Sequence, residues 1–389
     1  GYVLAQGDHR VKVVVGKDTR MSGDMLESAL IAGLMSVGCD IIPVGVIPTP
    51  AVAYLTRKYN ADCGVVISAS HNPMEDNGIK FFNKDGFKLD DAIELEIEKY
   101  IENIDKVDCN PVGENVGVIN HEHNALRDYV DYLKSIINVD LTGMKVVLDC
   151  ANGASYEVAP TVFKELGANV IDINTTPNGK NINDKCGSTH PEMLQKAVVE
   201  NKADLGLAYD GDADRLIAVD ENGNIVDGDH IMILSAVYLK KKNQLSNNTL
   251  VITVMTNIGL NVAAREHGIN LETTDVGDRY VIEAMKKGEF NLGGEQSGHM
   301  IFSDYNTTGD GVLSSLMLSK IIMEEKKPLS ELASIMSVYP QVLVNVEVKN
   351  EVKNKFMEVE EIKNEITRIE ELMEGSGRVL IRPSGTQPL

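Results

Sequence analysis

The sequence predicts an α/β protein: three similar α/β domains with mixed sheets, followed by a smaller C-terminal α+β domain. Two observations carry that expectation. A strand, polar loop, helix and strand recur three times along the chain, each copy spanning about thirty residues, the size of one βαβ unit. A chain of 389 residues also exceeds what one hydrophobic core usually serves.

The first copy opens with the apolar run Val11 to Val15, followed by the polar turn Gly16 to Gly23, a helical pattern from Met25 to Val37, the stop Gly38 and a short strand from Cys39 to Ile42. The second runs from Met144: Val146 to Leu148 as strand, the turn Ala151-Asn152-Gly153, a helix toward Leu166, Gly167 as its stop, then Val170-Ile171. The third has strand Val251 to Val254, a loop at Asn257 to Gly259, a helix to Glu266, and Gly268 before Ile269. The tail breaks the pattern, with alternation over Val342 to Val348, a charged helical stretch from Asn350 to Leu372 and a short strand at Arg378 to Ile381. Domains are therefore expected at 1–124, 125–224, 225–338 and 339–389, the last entered near Tyr339-Pro340. Such units place ligands beyond the carboxyl ends of their strands, so chemistry is sought in the loops.

Composition bounds the function. Apolar residues make up 43% and charged residues 24%, as in a globular protein. With 37 Lys plus Arg against 58 Asp plus Glu, the net charge of −21 repels nucleic acid and anionic membrane, so neither is an expected partner. No apolar run long enough to span a bilayer and no secretory leader stand out, which makes the cytoplasm the expected location. Cys39, Cys63, Cys109, Cys150 and Cys186 are odd in number and contain no Cys-x-x-Cys pair, which argues against a disulfide framework or a zinc site.

Four loops carry the chemistry. In Asp210-Gly211-Asp212-Ala213-Asp214-Arg215, between apolar strands, three carboxylates can share one ion if the backbone curls at Gly211 and Ala213. Hard oxygen donors favour magnesium, one ion per chain; the alternative is a solvated acidic turn. An EF-hand is not indicated, because Arg215 stands where that loop needs Gly. The second loop, Ser68-Ala69-Ser70-His71-Asn72-Pro73, follows the strand Gly64 to Ile67, and its Ser70 hydroxyl beside such an ion could carry a phosphoryl group. Lys80, downstream in Asn77-Gly78-Ile79-Lys80-Phe81, could serve as acid or base if desolvated and flanked by cations. The third, Gly293-Gly294-Glu295-Gln296-Ser297-Gly298-His299, suits sugar hydroxyls through Glu295 and Ser297, with His299 either a proton shuttle or a structural imidazole. The fourth, Arg382-Pro383-Ser384-Gly385-Thr386, has the donors to grip a phosphate. Walker A and Rossmann fingerprints are absent, so nucleotide cofactors are not expected.

At these four loops, in this order, the chain resembles the α-D-phosphohexomutase superfamily over nearly its whole length. It is most similar to the bacterial phosphoglucosamine mutase branch, through Ile67 to Pro73, Cys186 to Pro191, Val276 to Tyr280 and Gly294 to His299. The resemblance implies four domains around one cleft and a phosphorylated Ser70, with magnesium held by the Ser70 oxygen, Asp210, Asp212 and Asp214. By the same resemblance Arg215 contacts the phosphoserine, and Lys80, His299 and His71 are further catalytic candidates. Glu295, Ser297, Gly277, Asp278 and Arg279 are implied to bind the sugar, and Arg382, Ser384, Gly385 and Thr386 the phosphate that is not transferred. The implied reaction interconverts glucosamine 6-phosphate and glucosamine 1-phosphate through glucosamine 1,6-bisphosphate. Phosphomannomutase, phosphoglucomutase, a metal phosphatase using Ser70 and a catalytically silent sugar-phosphate binder are the alternatives. A homodimer is a further expectation.

Ala213 stands where the family usually has Gly, which matters little if the backbone there avoids positive φ. Gln387 replaces the branch's usual Glu, and the chain begins after the family's opening strand and ends inside its last domain, so a longer polypeptide is expected.

Overall fold

The computed structural model of the chain describes residues 3, 9–103, 111–342, 344, 346–347, 358–373 and 377–381. The first unit contains β1 (Lys12–Lys17), α1 (Ser22–Ser36), β2 (Asp40–Val46), α2 (Thr49–Lys58), β3 (Cys63–Ile67), β4 (Ile79–Asn83) and α3 (Asp91–Glu102). Its sheet runs β2-β1-β3-β4, the first three strands parallel and β4 antiparallel at the edge.

The second unit begins with α4 (Ala125–Ile137), followed by β5 (Lys145–Asp149), α5 (Val158–Glu165), β6 (Asn169–Ile173), α6 (Glu192–Asn201), β7 (Leu205–Tyr209), β8 (Leu216–Asp220) and β9 (Ile225–Val226). Its order is β6-β5-β7-β8-β9, parallel through β7 and antiparallel beyond. The third unit comprises α7 (Gly228–Lys241), β10 (Thr249–Thr253), α8 (Ile258–Glu266), β11 (Asn270–Thr274), α9 (Asp278–Gly288), β12 (Leu292–Gly294), β13 (Met300–Phe302), α10 (Gly311–Glu325) and α11 (Leu329–Ala333). Its sheet, β11-β10-β12-β13, again has three parallel strands and an antiparallel edge.

The recurrence seen in the sequence is thus one topology used three times. The expected mixed sheets follow from it, because the strand after the third parallel strand returns directly, without a helix, and must pair antiparallel. That return loop is the Ser70 loop between β3 and β4, the Asp210 loop between β7 and β8, and the Glu295 loop between β12 and β13. Strands β3, β7 and β10 are buried throughout, as runs covered on both faces should be.

One large core joins the units and fixes their loops relative to one another: Leu55 and Phe82 from the first, Tyr129, Leu133, Phe163 and Tyr209 from the second, and Leu250, Leu313 and Leu316 from the third lie in the same cluster. Through it runs α10, buried from Gly311 to Ser319, with Asp310 capping the Leu313 N–H at 2.9 Å and accepting from the buried Tyr129 hydroxyl at 2.6 Å. Among the described residues no helix is long and apolar enough to cross a membrane.

Of the tail, α12 (Glu360–Leu372) forms where the charged helical pattern was expected. The expected strands do not appear among the described residues of 342–348 and 378–381. Val342, Val344 and Val346 alternate as a strand would, yet all are exposed, with no neighbouring strand described to bury them. Arg382, Ser384, Gly385 and Thr386, the expected phosphate grip, and Gln387 lie outside the described residues, as does Cys109. Cys39, Cys63, Cys150 and Cys186 are free and buried.

Candidate active site

The three return loops meet. Arg215 and His299 form an antiparallel bridge between the second and third loops, and the Leu216 N–H donates to the Gly298 carbonyl at 3.0 Å. Gly298 has φ +91, and a Cβ there would lie 2.0 Å from the Leu216 carbonyl oxygen, so only glycine permits this stitch. On the other side the Ser70 hydroxyl donates to Asp210 Oδ2 at 2.5 Å, across 140 residues of sequence.

Asp210, Asp212 and Asp214 each offer one carboxylate oxygen within 4.8 Å of the others, and all three residues are buried. The curl that gathers them falls at one of the two expected positions. Ala213, not Gly211, takes the left-handed conformation at φ +58, with its N–H closing a turn onto the Asp210 carbonyl at 3.0 Å. The methyl of Ala213 therefore sits where glycine is favoured, at a cost of about 1 kcal/mol. Gly211 is needed for space: a Cβ on it would meet the Ser70 carbonyl oxygen at 2.5 Å and Asn183 Nδ2 at 2.8 Å. Ser70 itself has φ +52, the kind of local strain that a rigid surrounding must hold in place.

Asp212 Oδ1 and Asp214 Oδ1 are buried without a hydrogen-bond partner. Orphaned carboxylate oxygens converging with the Asp210 side chain and the Ser70 hydroxyl fit a small hard divalent cation such as magnesium. The remaining oxygens are engaged. Lys80 Nζ donates to Asp212 Oδ2 at 2.5 Å and to Asp214 Oδ2 at 3.3 Å, Thr49 Oγ1 donates to Asp212 Oδ2, and the Arg215 N–H donates to Asp210 Oδ1 at 3.1 Å. Burial raises the Asp210 pKa well above the ordinary carboxylate value, reinforced by Asp214 and Asp212. Burial pushes Asp214 the same way, but Lys80, His299 and Arg215 overcome it and hold that group below the usual range.

Lys80 departs from expectation. Burial does push its pKa down, but its near neighbours are the carboxylates of Asp212 and Asp214 rather than cations, and they hold the amine above its ordinary value as an ammonium. It is thus equipped to donate a proton and to offset charge. His71 lies on the exposed turn after Ser70, its pKa lowered first by partial burial and then by Arg215.

His299 is 4% exposed; its Nε2 stands 3.8 Å from Asp214 Oδ2 and 3.8 Å from Asp278 Oδ2. Gly309 packs against the ring so closely that a Cβ would come within 2.4 Å of Nε2. Glu295 accepts the Gly277 N–H at 3.0 Å and the Ser297 hydroxyl at 3.3 Å, which joins the loop before α9 to the one after β12. Asp278, in the first turn of α9, is ion-paired with Lys88 of the first unit. Arg279 pairs instead with Glu283, one turn along the same helix, at 2.8 Å.

Sequence reasoning passed over the polar turn after β1. There Arg20, fully buried, donates to Asp18 Oδ2 at 2.9 Å, to the carbonyls of Ser70 and Asn72 at 2.9 Å each, to that of Asp76 at 3.1 Å and to that of Pro73. Asp18 in turn accepts the Ser68 hydroxyl at 2.6 Å. Asn183 of the second unit donates to the same Ser70 and Asn72 carbonyls at 2.9 and 3.0 Å. The Ser70 loop is thus wrapped by its own carbonyls around one guanidinium. The signal was present in the run Lys17-Asp18-Thr19-Arg20 at the carboxyl end of a central strand, where α/β units place their sites.

Models of the phosphoglucomutase/phosphomannomutase family match in order: alpha/beta/alpha domain I over residues 1–108, domain II over 127–223, domain III over 227–339 and the C-terminal domain over 343–389. The chain is 76% identical to the phosphoglucosamine mutase of Clostridioides difficile (strain 630) over 389 residues, all of this chain and 87% of that protein. It is 62% identical to the phosphoglucosamine mutase of Thermoanaerobacter sp. (strain X514) over the same shares. Among solved structures, a phosphoglucomutase/phosphomannomutase family protein from Burkholderia thailandensis superposes with a TM-score of 0.76 at 27% identity, covering 92% of this chain and 77% of that one. An Aspergillus fumigatus N-acetylphosphoglucosamine mutase, solved with GlcNAc-6P and magnesium, shares the fold with a TM-score of 0.64 at 19% identity, covering 87% of each chain.

Proposed function

Because the chain belongs to the phosphoglucomutase/phosphomannomutase family across all four of that family's domains, we propose that it interconverts glucosamine 6-phosphate and glucosamine 1-phosphate through a phosphorylated Ser70. The observation that supports this most directly is the Ser70 hydroxyl 2.5 Å from Asp210 within a buried cluster of three carboxylates. The phosphoglucosamine mutases at 76% and 62% identity favour glucosamine over mannose or glucose.

In the forward direction the O1 hydroxyl of glucosamine 6-phosphate attacks the phosphorus on Ser70. The O1–P bond forms, the P–Oγ bond breaks, the hydroxyl proton passes to His299, and the departing Ser70 oxygen takes a proton from Lys80. The glucosamine 1,6-bisphosphate then turns end for end. The Ser70 oxygen then attacks the 6-phosphorus and gives its proton back to Lys80, the P–O6 bond breaks, O6 takes the proton held by His299, and glucosamine 1-phosphate leaves. Magnesium bound by Ser70, Asp210, Asp212 and Asp214 would supply Lewis-acid stabilisation of the transferring group. Arg215, next to the cluster, contributes positive charge of the same kind, while Arg20 and Asn183 hold the Ser70 loop in attack geometry.

Glu295 and Ser297 hold sugar hydroxyls in this scheme, and Arg382, Ser384, Gly385 and Thr386 grip whichever phosphate is distal. A cytoplasmic location and a homodimer accompany the reading. The test is a coupled assay of wild type and Ser70→Ala with the 6-phosphates of glucosamine, glucose and mannose, beside the intact mass of the purified protein. Turnover of glucosamine 6-phosphate that disappears in Ser70→Ala, together with a phosphate on wild type only, is expected. Preference for another hexose rejects the substrate, and undiminished turnover by Ser70→Ala rejects the mechanism.

A further inference from the structure

An amino sugar differs from glucose by an ammonium group on C2, and a site that prefers it needs a negative charge there that a hydroxyl would leave uncompensated. Of the described carboxylates Asp214, Glu295 and Asp278 beside His299, all but one are already assigned. Asp214 belongs to the cation cluster, and both oxygens of Glu295 accept hydrogen bonds, from the Gly277 N–H at 3.0 Å and from Ser297 at 3.3 Å. The exception is Asp278. It sits in the first turn of α9, and His299 and Lys88 outweigh the effect of burial and lower its pKa to about 2, which keeps it ionised.

Its position suits the role. Asp278 Oδ2 is 3.8 Å from His299 Nε2, whose other carboxylate neighbour is Asp214, so it lies one imidazole away from the cluster where the attacking hydroxyl must be. When O1 is that hydroxyl, the C2 ammonium is on the adjacent carbon. Asp278 also already holds an alkylammonium. The Lys88 amine, from the turn after β4, is ion-paired with it, and the Lys88 side chain is 36% exposed, free to swing into solvent. Because the Lys88 end of the pair is open to solvent, one ammonium can be exchanged for another at Asp278.

Building on the proposed substrate, we infer that Asp278 is the specificity-determining counter-ion for the 2-ammonium of glucosamine phosphates, and that Lys88 occupies its place when no substrate is bound. This is distinct from binding sugar hydroxyls, because it predicts a loss that is larger for the amino sugar.

The experiment compares kcat/KM for glucosamine 6-phosphate and glucose 6-phosphate in wild type, Asp278→Asn and Lys88→Met. Asp278→Asn should lower the ratio of kcat/KM for glucosamine 6-phosphate to that for glucose 6-phosphate by about tenfold or more, the value of a hydrogen bond to a charged group. Lys88→Met, by removing the competing amine, should lower KM for glucosamine 6-phosphate severalfold and leave that for glucose 6-phosphate in place. Equal losses on both sugars in Asp278→Asn, or KM rising for both in Lys88→Met, would make the pair a structural clamp and overturn the inference alone. A wild type that does not favour glucosamine 6-phosphate overturns the substrate reading as well.

Discussion

The Lys80 ammonium of the first unit stands 2.5 Å from Asp212 Oδ2 and 3.3 Å from Asp214 Oδ2 of the second, so a cation of the chain itself is seated against the acidic cluster. Replacing it with an isosteric apolar group removes both a proton donor and the only side-chain ammonium paired with Asp212 among the described residues. Lys80→Met should lower kcat by about 10² to 10⁴, the range for loss of a general acid or base. It should also destabilise the metal-free protein by a few kcal/mol, about what an uncompensated buried charge costs, with magnesium restoring much of it. Melting curves with EDTA and with magnesium measure this, and equal magnesium shifts in variant and wild type would contradict it.

Gly211→Ala tests whether the approach of the two loops is what activity needs. The added methyl would lie 2.5 Å from the Ser70 carbonyl oxygen, which is backbone and cannot rotate away. The Ser70 loop must shift by a fraction of an ångström to 1 Å, and displacement of that size costs about 10²-fold in rate. Turnover and the extent of Ser70 phosphorylation should both fall, while the melting temperature changes little because the main core is untouched. Full phosphorylation with normal kcat would show that the loops tolerate separation.

How much of this was readable beforehand depends on the kind of signal. The three βαβ units are local in sequence, so the runs at Val11, Val146 and Val251 and the stops at Gly38, Gly167 and Gly268 reveal them. The three carboxylates of Asp210, Asp212 and Asp214 are likewise local, and the chain has only to curl to gather them. What the sequence does not carry is which residues from other units complete each loop. Arg20, Asn183, Thr49 and Lys88 are ordinary polar residues until the fold brings Ser70, Asp212 and Asp278 to them. Ala213 illustrates a different limit: nothing in its type announces φ +58, which the surrounding contacts impose.

Arg20→Lys should be far from conservative. The planar guanidinium satisfies carbonyls at residues 70, 72, 73 and 76 together with Asp18, and an ammonium on a flexible stem cannot span that set. With the carbonyls unpaired the loop loses its preorganised form, and kcat should drop by about tenfold to a hundredfold while KM for the sugar phosphate moves little. Arg20→Ala adds an orphaned Asp18 and should lose about 3 to 5 kcal/mol of stability in chemical denaturation. A lysine variant with wild-type kcat would show that the guanidinium is dispensable to the loop.

Asp229 gives a prediction whose sign is set by pH. It is buried at the start of α7, accepts the Asn257 N–H at 2.8 Å through Oδ2, and leaves Oδ1 buried without a partner. Burial, with some help from Asp227, raises its pKa to about 7 against the opposing effects of the Asn257 N–H and His230. An unfolded Asp titrates near about 3.9. The folded state therefore binds the proton more tightly than the unfolded state does, so the group costs no stability below about pH 4, an increasing amount as pH rises to 7, and a constant amount above that. Asn257 also clasps the following linker, donating to the Tyr339 carbonyl at 2.9 Å and accepting its N–H at 3.0 Å, and the neighbouring Gly228 N–H holds the Gln296 carbonyl at 3.1 Å. Asp229→Asn keeps an oxygen for the Asn257 N–H and removes the buried negative charge. The variant should be more stable than wild type at pH 8, by at most about 4 kcal/mol, and the advantage should shrink toward zero near pH 4.5. Denaturation at the two pH values measures the difference, and an advantage that is absent at pH 8 or independent of pH would mean that Asp229 enters the folded state without the raised affinity for its proton.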